Sequence, residues 1–155
     1  MGFSLPGLLI ALAILAPSFL LLPFPPIDAP AAAPRTSRIA SVLERVGQIG
    51  CLVLAVIVEP VLGHPAWLIA LIGLVALYYL LWMRYLAGGR HFRLLYAPLG
   101  PIPVPLALAP VLAFFAASVW MQNWFLAAAA IVLGVGHITV SLQIARDAGA
   151  TERLE

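Results

Sequence analysis

The chain contains no lysine, a single cysteine and very little charge of either sign. Only 9% of its 155 residues are charged, whereas 64% are hydrophobic. A soluble domain carries ~25% charged and roughly 45–50% apolar residues. Each scarcity excludes something. One cysteine permits neither an intrachain disulfide nor a cysteine metal cluster. Cys51 lies among Gly50, Leu52 and Val53 and reads as a small buried hydrophobe. The low charge excludes a nucleic-acid-binding module and a disordered tail. A net charge of +2 is too small to imply a polyanionic partner. No stretch matches a phosphate loop, a dinucleotide fingerprint, a nucleophile elbow or a zinc-protease helix, and neither metal nor cofactor is expected. What the chain does have is apolar surface, more than a small water-soluble fold can hide. Lipid is the expected solvent for most of it.

Charges punctuate the sequence, and residues 1–27, 60–83 and 94–145 carry none. A helix needs ~20 mostly apolar residues to cross the hydrocarbon core. The sequence therefore predicts an all-α, polytopic membrane bundle in one domain, with five spans at about 3–22, 42–62, 66–83, 104–120 and 124–144. The last charge-free gap holds two spans, with a turn at Met121-Gln122-Asn123. The second span is the hardest to place, because charges bound it closely. Ser41-Val42-Leu43-Glu44 fits a capping box, which sets Glu44 and Arg45 at one interface and Glu59 near the other. Pro17 should kink the first span unless the carbonyl it frees finds a partner, and Ser18 is at hand. Pro23, Pro25, Pro26, Pro30 and Pro34 then make a stiff spacer.

All eight basic residues are arginines. Five spans put every one of them on one side: in or beside connections 23–41 and 84–103, or on the tail 145–155. The positive-inside rule makes that side cytoplasmic, with the N-terminus outside, in a bacterial cytoplasmic membrane. A cleaved signal peptide in place of the first span is disfavoured. The start, Met-Gly-Phe-Ser-Leu-Pro-Gly, lacks a positive n-region, and secretion would leave Arg35, Arg38 and Arg45 outside.

Chemistry, if present, rests on polar residues that lipid disfavours. Glu59 reads as interfacial or as part of a proton or cation path. His137 lies deep in the fifth span, on one helix face with Ala130, Gly134 and Ser141. It reads either as an interhelical hydrogen-bonding group with Ser141 as partner, or as a proton relay, haem ligand or base. Bis-histidine haem is disfavoured, because His64 and His91 fall in connections. Ala109, Ala113 and Ala117 form a small-residue ladder on the fourth span, facing that of the fifth or a second copy. Arg84, Arg90 and Arg93 mix with Phe92, Leu94, Leu95 and Tyr96 near Gly88-Gly89. They read as a membrane anchor or as an anionic lipid or phosphate contact. Leu99-Gly100-Pro101-Ile102 is a candidate for shallow re-entry, provided protein covers its backbone.

With Leu43-Glu44-Arg45, Gly88-Gly89-Arg90 and Gly136-His137-Ile138, the chain resembles small multi-pass bacterial membrane proteins, a resemblance that carries no activity over. Three functional classes follow. The first is a non-enzymatic structural or accessory subunit, with membrane lipids and another membrane protein or a second copy as partners. The second is an oligomeric transporter or channel subunit using Glu59 and His137. The third is a lipid-acting enzyme with His137 as base and Arg90 and Arg93 on a headgroup.

Overall fold

The computed structural model describes residues 2–30 and 34–151; of residues 149–151 it describes the backbone alone. Among the described residues, five α-helices make up the bundle: α1 Leu5–Leu15, α2 Arg38–Ile57, α3 Pro65–Ala87, α4 Pro105–Trp120 and α5 Trp124–Thr151. The described residues form no strand, and α2, α3 and α5 are each long and apolar enough to cross a membrane. Successive helices run antiparallel. α5 packs most extensively on α2 and also on α4, α4 packs on α3, and α1 lies against α2 and α4.

The first apolar stretch is not one α-helix. Pro17 has no N–H to offer the carbonyl of Ala13, and from Ala16 to Leu21 the chain continues as a 3₁₀ segment. The freed carbonyl does find a donor. It is Tyr79 on α3, whose hydroxyl donates to Ala13 O at 3.0 Å, while Ser18 pairs instead with the Tyr78 hydroxyl at 3.2 Å. The 3₁₀ rise of ~2.0 Å per residue also carries the broken span farther than an α-helix of equal length would.

Helix α2 begins earlier than the capping box implies. Its N-cap is Ser37, because α5 holds the approach: Ser37 N–H donates to Gln143 Oε1 at 2.9 Å and Arg35 N–H to Asp147 Oδ2 at 3.1 Å. Ser41 and Glu44 are thus inside the helix, and Glu44 is free for another role. The helix also ends at Ile57, so Glu59 lies beyond it, exposed, in the connection to α3.

Asn123 joins the other ends of α2 and α5. Its Oδ1 accepts from Leu126 N–H at 3.0 Å, and its Nδ2 donates to Leu54 O at 2.9 Å, with the residue 2% exposed. One amide therefore satisfies a helix start and a helix end. At the opposite end, Leu99 and Ile102 exchange backbone hydrogen bonds around Gly100, whose φ is +57°. Leu99, Gly100 and Pro101 are exposed, so this segment is a self-satisfied surface turn and not a covered re-entry.

The α2–α5 crossing is close because two glycines permit it. A Cβ on Gly47 would sit within 2.3 Å of Leu133 N, and one on Gly136 within 2.2 Å of Glu44 N. Both obstacles are backbone, so neither can yield. By contrast, a Cβ on Gly73 would meet nothing within 4 Å. Thermal unfolding in detergent should therefore show Gly47→Ala and Gly136→Ala each destabilised by ~1–3 kcal/mol or more, the usual cost of overpacking. Gly73→Ala should be neutral or slightly stabilised.

Candidate functional site

A cavity of about 260 Å³ lies between the helices, toward the end that carries the arginines, with lining residues from all five helices and from the 3₁₀ turn Phe92–Leu95. Glu44 from α2 and His137 from α5 meet in its wall, with His137 Nδ1 2.6 Å from Glu44 Oε1. The contact engages one ring nitrogen, Nδ1, and one carboxyl oxygen. The two side chains are 32% and 24% exposed, reachable yet largely sheltered.

The pair exists because of helix spacing. Ala40, Glu44, Gly47, Cys51 and Ala55 recur at intervals of four and three, so they share one face of α2. Gly136 brings the backbone of α5 against Glu44, and Glu44 and His137 then face each other across the crossing. The partner of His137 is thus Glu44 and not Ser141. Ser141 is buried and lines the same cavity.

Tyr78, Trp82, Tyr96 and Phe114 give the cavity aromatic walls. Trp82 stacks edge-on with Tyr78 and Tyr85, at centroid separations of 6.3 and 5.7 Å. It is 4% exposed, and its side chain hydrogen-bonds that of Tyr78. Burial pushes the Tyr96 hydroxyl above its ordinary pKa of 10.0, with the negative charge of Glu44 adding to the effect.

The remaining residues singled out from sequence are dispersed. Glu59 is near Gly2 at the far end of the bundle, and neither residue lines the cavity. The α4 ladder divides: Ala113 and Ala117 share a buried cluster with Ala130, whereas Ala109 packs with Tyr78, Leu81, Trp82 and Tyr85. Gly134 faces Val111 of α4, since a Cβ there would lie 3.1 Å from its Cγ1. Arg84 donates to Pro98 O at 3.2 Å, Arg90 takes a φ of +60°, and Arg93 is exposed but engaged. No arginine lines the cavity. The carboxylate–imidazole pair offers two metal donors, and among the described residues no third joins it.

The proline-rich connection does more than span a distance. Asp28 accepts from Phe92 N–H at 2.6 Å and pairs with His91 Nδ1 at 2.9 Å, and Ile27 N–H donates to Arg90 O. Tyr85 adds a bond to Phe24 O at 2.9 Å. Together these contacts hold the turn whose Leu95, with the following Tyr96, lines the cavity.

No protein-family model, curated protein or solved structure matches this chain.

Two outcomes follow from this geometry. The Phe92 amide and then His91 hold the Asp28 carboxyl below its ordinary pKa of 3.8. A lowered folded pKa contributes stability that is complete above 3.8 and is lost as pH falls through the folded value. Asp28→Asn should therefore melt below the parent at neutral pH, and the gap should close in strong acid. A double-mutant cycle of Glu44→Gln and His137→Asn, read from unfolding in detergent, should give a coupling of ~0.6–2 kcal/mol, the range of hydrogen bonds within membranes.

Proposed function

We propose that the chain is a five-span integral membrane protein, non-enzymatic and accessory in kind, that holds a small amphipathic molecule between its helices. The observation that carries the reading is a reachable cavity, walled by all five helices, with a carboxylate–imidazole pair inside it. The outer surface supports the membrane setting. Large apolar side chains stand exposed along every helix, among them Leu9 and Leu12 on α1, Val46, Ile49 and Val53 on α2, and Ile69 and Ile72 on α3. Phe115 on α4 and Ile131 and Val135 on α5 continue the pattern. Soluble monomers rarely expose contiguous apolar patches of this extent. Membrane lipids are then the first partners, and a second membrane protein or a second copy of the chain the next.

The arginines orient the proposed protein with its N-terminus outside and its C-terminus in the cytoplasm. The cavity then opens in the inner half of the bilayer. His137 is thirteen residues along α5 from Trp124, ~20 Å at the helical rise, within a hydrocarbon core of ~30 Å.

A second reading draws on the same pair. Titratable groups inside a membrane bundle are the usual elements of proton paths, and an oligomeric transporter would use Glu44 with His137. Glu59 at the opposite end is too remote to join them directly. A lipid-acting enzyme has less support, since Arg90 and Arg93 lie outside the cavity wall.

Topology and activity are tested separately. His64→Cys should be labelled by an impermeant thiol reagent from outside, and Cys51, which is fully buried, should not. Mass spectrometry of the gently purified protein should find one class of small molecule retained, and His137→Asn should lower its occupancy. A proton flux in liposomes that His137→Asn abolishes would favour the transporter reading instead.

A further inference from the structure

Resting on the reading of the cavity as a ligand site, we propose that it takes a lipophilic primary amine as its ammonium cation, in exchange for one proton of the Glu44–His137 pair.

The polar groups of the cavity lie on two helices at one-turn spacing. Glu44 and Gln48 share a face of α2, His137 and Ser141 share a face of α5, and all four line the cavity. The two helices run antiparallel and meet at Glu44 and His137. Gln48 and Ser141 therefore extend the polar strip by a turn in opposite directions. A primary ammonium carries three N–H donors and no acceptor. The strip supplies matching acceptors: a carboxyl group of which His137 engages one oxygen, an amide oxygen and a hydroxyl.

The other helices complete the match. Tyr78 and Trp82 from α3 and Phe114 from α4 bring aromatic rings to the same cavity, and an aromatic face attracts a cation. An anionic head finds no such fit, because among the described residues no arginine lines the cavity. The volume of about 260 Å³ is below the ~300–1,000 Å³ of sites for drug-sized ligands. It suits an ammonium head and the first part of a chain, with the rest left in lipid. Depth agrees with this placement. A lipid-dissolved amine keeps its head near the interface, as a lysine side chain does, and Glu44 is six residues from the start of α2.

The pair sets the condition for entry. A carboxyl group and an imidazole 2.6 Å apart titrate as one unit. With one titrating proton between them the pair is neutral, and without it the pair carries one negative charge, wherever that proton sits. The ammonium is held in the second state and meets no net charge in the first. Binding therefore expels a proton, and the amine is held more tightly as pH rises. Tyr78 and Tyr96 are the other titratable groups in the wall, and phenols ionise only near pH ~10. Among the described residues, α1 and α4 bring no titratable group to it.

The test titrates the full chain in detergent micelles with dodecylamine, by calorimetry between about pH 6 and pH 8, where a primary amine stays protonated. Two buffers of different ionisation enthalpy count the protons released. Saturable binding at one site per chain, with proton release and an affinity that rises by at most ~10-fold per pH unit, supports the proposal. Glu44→Gln should abolish that binding, its fold being checked by thermal unfolding; proton release in the parent decides the matter if the variant does not fold. His137→Asn, which cannot titrate near neutral pH, should bind more weakly at about pH 8, since Glu44 loses the contact that positions it, and should show a flat pH profile. Non-saturable uptake, or saturable binding without proton release, overturns the exchange. The uncharged probe 1-dodecanol has the same chain. If it binds saturably while dodecylamine fails, the ammonium class is wrong and the cavity reading stands. If neither probe binds saturably the proposal is overturned, and the cavity reading falls with it when no small molecule accompanies the purified protein.

Discussion

The closeness of α2 to α5 is the constraint on which the rest of the structure depends. It is set by two missing side chains. With a Cβ at Gly47 or Gly136 the helices would have to separate, and the 2.6 Å contact of Glu44 with His137 would be lost with them. The same crossing leaves a gap on its arginine-rich side, which α1, α3 and α4 wall in without filling. Packing and polarity are thus coupled. The site is polar because the helices touch, and hollow because they diverge.

Around that crossing, the chain satisfies its backbone by long-range side-chain contacts. Tyr79 replaces the donor that Pro17 lacks, Asn123 serves two helix ends, and Asp28 ties one connection to another. In apolar surroundings an unsatisfied carbonyl or amide is expensive. These three residues therefore contribute more to order than their small number would suggest.

Much of the scaffold was legible in the sequence, because charge gaps and apolar run length are one-dimensional signals. The starts of α3, α4 and α5 fall within a residue of expectation, and the turn at Met121-Gln122-Asn123 is where the charge-free gap required it. His137 stood out as a polar residue deep in an apolar run. Its partner did not. Glu44 sits three residues after Ser41 and fits a local cap, and nothing local reveals that the helix starts a turn earlier, after Ser37. Gly47 and Gly50 likewise show no phosphate-binding pattern, and only the approach of Leu133 gives Gly47 its meaning. That Tyr78, Trp82, Tyr96 and Phe114 wall one cavity depends on which helices become neighbours, and no local pattern carries that.

The 93 residues that separate Glu44 from His137 have a consequence for biosynthesis. Ribosomes add ~5–20 residues per second, so Glu44 is made roughly 5–20 s before its partner. For that interval α2 carries a carboxyl group whose imidazole partner has not yet been made. Its place only six residues from the start of α2 lets the side chain reach toward headgroups and water while it waits. Helix α5, made after the other four, is the one that draws it inward, and closure of the α2–α5 crossing must wait for it.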